Sequence, residues 1–274
     1  MKRITTILIA ACAAFAWATT AFGQNFDHSY AAWDVQLKKQ VKWLPDNKQS
    51  RVNYKGFSAE RTELTKTLET LSAVTPAQYA AFSKEQQMAF LINAYNAFTI
   101  ELILSKYPDV KSIKDLGTAF SSPWKKNFFT LLGEERNLDW VEHQRLRPSI
   151  AGGGFKDPRV HVAMVCASIG CPALPAEAFT AAKLDTQLDE GMARFISDKT
   201  RNRYNDGKLQ VSSIFKWFKE DFEKGYKGFS KVEDVFAKYA DVLTTDSTAQ
   251  GQLRAKTVSI SHLDYDWSLN DAGR

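Results

Sequence analysis

The stretch "SKEQQMAFLINAYNAFTIELILSKYP", residues 83–108, decides how the rest of the chain is read. Ser83 and Gln86 stand three apart, the spacing at which the two side chains cap each other's backbone N–H groups at a helix start. Tyr107-Pro108 closes the pattern, because proline cannot continue a helix. Between these marks apolar residues face nearly every direction, and a helix of that kind belongs at the centre of a fold. Asn93, Asn96 and Glu101 interrupt Met88–Leu104. They make it too polar for lipid, so the segment reads as a core helix and not as a membrane span.

Working outward, Leu64, Leu68 and Leu71 fall at i, i+4, i+7 and predict a helix over Glu60–Ala73. Residues 24–57 are polar and aromatic, with Pro45 and Gly56, and read as an arm packing on the domain. Downstream, Phe128–Leu132 and Arg136–Leu138 predict two strands around Gly133-Glu134. Asp139 and Glu142 have capping-box spacing and open a short helix that Pro148 ends. In "SIAGGGFKDP" (149–158) the triple glycine lacks the Lys-Ser/Thr of a phosphate loop and reads as a hinge or linker. Asp157-Pro158 then starts a short helix through His161 to about Val165. A buried strand is the alternative there, since Val160, Val162 and Met164 alternate.

Further on, the pattern predicts a helix over Glu177–Ser197, a strand at "KLQVS" and an aromatic helix over Ser213–Phe222. A helix capped by Ser230 and Glu233 follows, and a strand opens the tail "TVSISHLDYDWSLN" (257–270). The sum is α+β: a mostly helical single domain, residues 58–274, with a small β-sheet.

The chain begins "MKRITTILIAACAAFAWATTAFGQ", a basic start, an apolar run and small residues at Ala21 and Gly23. That is the pattern of a secretory leader, residues 1–23, and it implies an exported protein, periplasmic or secreted. Lipidation at Cys12 is the alternative, but the apolar run continues past Cys12 to Phe22. Loss of Lys2 and Arg3 would take the net charge from +5 to +3. Basic and acidic residues are interspersed, which predicts no nucleic-acid partner. No membrane span, cofactor or resident metal is expected, and the oligomeric state is not legible.

The chemistry concentrates in "HVAMVCASIGCP", residues 161–172, which holds Cys166 and Cys171. Three readings are open. In an exported chain two cysteines read as a disulfide, although so short a loop gains only about 2 kcal/mol from closure. A zinc site would add His143 and His161, but the spacing fits poorly. A nucleophile would be Cys166, in a turn rich in small residues, with His143 or His161 as base. Asn93 and Asn96, at i, i+3 on an otherwise apolar helix, either fix a loop's path or orient an imidazole or substrate carbonyl. Arg145, Arg147 and Arg159 flank the glycine run and are of the type that binds carboxylates.

With these residues in hand, the chain resembles the domain-of-unknown-function 547 (DUF547) family. The pieces that carry the resemblance are "FLINAYNAFTIELIL", "LDWVEHQRLRP", "DPRVHVAMVCASIGCPAL", "SSIFKWFKEDF" and "LDYDWSLN". They span about residue 88 to residue 270. The family pattern falls on Asn93, Tyr95, Asn96, Glu142, His143, Arg147, Cys166 and Ser168. The resemblance implies that Cys166 with His143 is the more general pair, and it supplies no reaction. The expected function is a thiol-dependent hydrolase or acyltransferase with a papain-like arrangement, acting on an amide or ester of the cell envelope. Cys166 is the expected nucleophile, His143 the base, Glu142 or Asn93 the orienter, and Asn96 or the Ala167–Gly170 backbone the oxyanion donors. His161, Cys171, Ser168 and Arg147 are secondary candidates. A non-catalytic binding or scaffold domain closed by a Cys166–Cys171 disulfide is the alternative, followed by a zinc-binding domain.

Overall fold

The central helix forms as its ends predict. In the computed structural model, which describes residues 26–118, 120–148, 154–205 and 207–273, it runs over Lys84–Leu104. The Ser83 hydroxyl accepts from the Gln86 backbone N–H at 3.2 Å, and the Gln86 side-chain Oε1 accepts from the Ser83 N–H at 2.8 Å. Every residue from Gln87 to Leu104 except Glu101 is buried. By length and composition this helix could cross a bilayer, contrary to the reading from Asn93, Asn96 and Glu101. Burial of 94% of its most apolar window assigns it instead to the protein core. The leader, Cys12 and Gly152-Gly153 lie outside the described residues.

In chain order, α1 (Ala31–Gln40) leads into a hairpin of β1 (Val41–Trp43) and β2 (Ser50–Val52), then α2 (Tyr54–Ala59), α3 (Arg61–Ser72) and α4 (Pro76–Ala81). The N-terminal segment puts Trp33, Leu37, Tyr54 and Phe57 into the same core as the central helix, α5. A second hairpin, β3 (Phe129–Leu131) and β4 (Glu134–Arg136), turns at Leu132 and Gly133, both at positive φ. Phe129 pairs with Arg136 and Leu131 with Glu134.

The next helix, α6 (Leu138–Val141), starts two residues earlier than Asp139 and Glu142 suggest. Asn137 is its cap, accepting from the Trp140 N–H at 2.8 Å. It continues as a π-helical turn over Glu142–Leu146. Asp157 caps a 3₁₀ turn, Pro158–Val162, so this segment is neither a full helix nor a strand.

The helix expected over Glu177–Ser197 begins only at Leu184 (α7, Leu184–Ser197). Two side-chain amides, one from α5 and one from α7 itself, clamp the preceding backbone outside the helix. Asn93 binds both the N–H and the C=O of Phe179, while Gln187 binds Thr180 N–H and Ala178 C=O. The second half contains β5 (Arg203–Asn205), β6 (Lys208–Val211) and β7 (Ser259–His262) in one sheet, β5–β6 antiparallel and β6–β7 parallel. The aromatic helix breaks at Phe218 into α8 (Ile214–Trp217) and α9 (Lys219–Phe222). It is followed by α10 (Val232–Lys238), whose cap is Lys231 with Asp234, then α11 (Ala240–Leu243) and α12 (Ser247–Ala255).

The result is an α+β domain with small sheets. Buried residues form two clusters, one around α5 and one around α7, β6 and α8 to α11. Tyr265 packs against both.

Candidate active site

Where the two clusters meet there is a cleft of about 220 Å³. Tyr95 reaches it from α5, Glu142 and His143 from the π-helical turn, and His161, Cys166 and Cys171 from the segment after the glycine run. Three distant parts of the sequence thus share one space.

The cysteines are bonded to each other, with Cα atoms 6.2 Å apart. Cys171 is buried at 3% exposure, and Cys166 is the more exposed sulfur. In this state neither sulfur is available as a zinc ligand or as a thiolate. Their loop is held on several sides. Asn96 accepts from the Val165 N–H at 2.9 Å and donates to the Ala163 C=O at 2.9 Å. Arg201 donates to the carbonyls of Ile169 and Gly170. The tail takes up Ile169 N–H through Ser268 C=O and Gly170 N–H through Asp266 C=O, both at 2.8 Å. Ala167 sits at φ +61°, a left-handed conformation that a side chain adopts at a cost.

Tyr265 closes the loop from the tail. Its hydroxyl lies 3.1 Å from each sulfur and accepts from Ser168 Oγ at 3.1 Å. A Cβ at Gly170 would stand 2.9 Å from the Tyr265 ring, so glycine is what lets the ring lie flat on the loop. Burial pushes the phenol well above its usual range, so it remains a donor.

The two imidazoles differ. A guanidinium can only donate, so His143 Nδ1 accepts from Arg147 Nη1 at 2.8 Å. Its other nitrogen faces Asp139 at 3.5 Å and Glu142 at 3.9 Å. Glu142 also accepts from the Tyr95 hydroxyl at 3.1 Å. His161 is buried, stacked on Phe218 at 4.0 Å, with Nε2 2.6 Å from Asp221. Arg147 Nε donates to the same Asp221 oxygen at 2.7 Å. Asp221 therefore ties the two imidazoles together through Arg147.

Asn93 and Asn96 do not line the cleft. Their amides are occupied by the Phe179 backbone and by the backbone just before Cys166. Asp221, Arg201 and Tyr265 were not singled out from the sequence. The signal lay in "SSIFKWFKEDF" and "LDYDWSLN", which contain Asp221 and Tyr265. The other wall of the cleft is aromatic: Trp217, 46% exposed, stacks on Trp267 at 5.7 Å, and Lys114 Nζ lies 3.8 Å over the Trp267 ring.

Burial holds His161 below its ordinary value of 6.5, with Arg147 adding to the effect and Asp221 and Glu142 opposing it. The unfolded chain therefore takes up this proton before the folded one does. The contribution is fully present above pH 6.5 and is lost as the pH falls below it, by up to about 1.4 kcal/mol per pH unit. Urea unfolding at pH 6.5 and 5.5 should show the wild-type lead over His161→Gln shrinking by up to that amount. A constant difference would mean no linked proton.

Fold and site together define a helix-rich α+β protein with a paired-cysteine, two-histidine cleft. Residues 79–196 match the family described as "Protein of unknown function, DUF547". No curated protein and no solved structure matches the chain. Tyr95, Glu142, His143, His161 and both cysteines lie inside the matched stretch, whereas Asp221 and Tyr265 lie beyond it.

Proposed function

We propose that the protein is an exported, thiol-dependent hydrolase or acyltransferase acting on an amide or ester of the cell envelope. The observation that carries this reading is the shared cleft of Cys166, His143, His161 and Glu142. The leader pattern of residues 1–23 supports a periplasmic or secreted location.

The reading concerns the reduced protein. Cys166 Sγ would attack the carbonyl carbon, in an arrangement of the papain kind. With Nε2–H held by Asp221, His161 keeps its lone pair on Nδ1 and is the base in this reading. The His143 lone pair is already taken by Arg147, which favours a positioning role for that ring. Among the described residues the N–H groups of Ala167 and Ser168 make no hydrogen bond, whereas those of Ile169 and Gly170 bind the tail. The first two are the candidate oxyanion donors.

After reduction, hydrolysis of p-nitrophenyl acetate should fall by about 10²–10⁴-fold in His161→Ala and vanish in Cys166→Ser. Equal rates in all three proteins would sink the proposal. They would leave the second reading, a non-catalytic binding domain, which the closed disulfide and the exposed Trp217 favour.

A further inference from the structure

The Cys166–Cys171 bond has little to hold together. It closes a loop of four intervening residues, and that loop is already fixed by Asn96, Arg201 and the tail backbone. What surrounds the bond is chemically specific. Both cysteines line the cleft; Cys166 is the more exposed, and Cys171 is buried at 3% exposure. Two donors already point at the buried sulfur: the Cys166 N–H at 2.9 Å and the Tyr265 hydroxyl at 3.1 Å. Donors placed on a sulfur stabilise the negative charge it acquires when its disulfide opens.

We infer that Cys166–Cys171 is an exchange-active disulfide that reacts in the cleft with a dithiol. One thiolate of the dithiol attacks Cys166 Sγ, a new S–S bond forms to Cys166, and the Cys166–Cys171 bond breaks. The electron pair leaves on Cys171 Sγ, which the Cys166 N–H and Tyr265 receive. The second thiolate of the dithiol then attacks its own partner sulfur and expels the Cys166 thiolate. The dithiol is oxidised to a disulfide by two electrons, and the protein gains two electrons and two protons. Run in reverse, Cys166 attacks a disulfide and Cys171 resolves the mixed species. Tyr265 is a catalytic residue in this exchange because it touches the leaving sulfur. The inference goes beyond acyl transfer and does not need it, although it would supply the free Cys166 that acyl transfer requires.

The test uses the mature chain and dithiothreitol without denaturant, with maleimide adducts counted by mass against time. The disulfide should open much faster than the protein unfolds globally, and Tyr265→Phe, which keeps the ring, should slow opening by about tenfold or more. With Ellman's reagent, Cys171→Ser should form a mixed disulfide through Cys166 at least about a hundredfold faster than Cys166→Ser does through buried Cys171. Opening at the rate of global unfolding would overturn the inference, and that measurement requires no variant. Equal reactivity of the two single-cysteine proteins would also overturn it. Neither readout involves an acyl group, so failure of the hydrolase reading leaves both intact.

Discussion

Asp221→Ala should destabilise the protein by about 3–5 kcal/mol, the range for removing one partner of a buried ion pair. Asp221 is fully buried, and one of its oxygens takes both Arg147 Nε at 2.7 Å and His161 Nε2 at 2.6 Å. Without the carboxylate, a partly buried guanidinium loses its counter-charge and a buried imidazole loses its acceptor. Asp221→Asn keeps the shape and one acceptor, so it should cost less than alanine and still weaken the Arg147 contact. The readout is the urea midpoint together with the m-value, since an unchanged slope attributes the shift to stability. A loss below about 1 kcal/mol in the alanine variant would show that Asp221 is not the tie between the two imidazoles.

Asn96→Ala should have a comparably large effect, about 2–6 kcal/mol, because it leaves two buried backbone groups without partners at about 1–3 kcal/mol each. These are the Ala163 carbonyl and the Val165 N–H, and the latter adjoins Cys166. The comparison that gives this result meaning is Asn93→Ala. Asn93 makes the same two-bond clamp on Phe179, away from the cysteines. Both variants should lose similar stability, measured again by urea unfolding. Only Asn96→Ala should also change how fast dithiothreitol opens the disulfide. If Asn93→Ala altered that rate equally, Asn96 would have no special hold on the cysteine loop.

The same two asparagines show what could be read from the chain and what could not. Helix α5 was legible because its cap, Ser83 with Gln86, is local, and so were the strand at Lys208–Val211 and the hairpin around Gly133. The late start of α7 was not, because the groups that clamp residues 178–180 outside the helix include Asn93, 86 positions upstream of Phe179. Likewise the continuous aromatic run at 213–222 gave no sign of its break at Phe218, where the ring stacks on His161 from another segment. In the site, the cysteines and histidines stood out by residue type. Asp221 and Tyr265 did not, since an aspartate or tyrosine is ordinary until its partner, 60 or 94 residues away, is known.

That last separation has a consequence for how the molecule is made. Cys171 leaves the ribosome 94 residues ahead of Tyr265, an interval on the order of 5–20 s at ordinary rates of synthesis. A nascent chain halted near residue 250 carries both sulfurs and both imidazoles but lacks the phenol and the tail backbone that cradle the loop. The two cysteines therefore spend their first seconds as unsheltered neighbours, open to exchange with any passing disulfide. The later-made stretch around Tyr265 is the one that turns them into a defined centre.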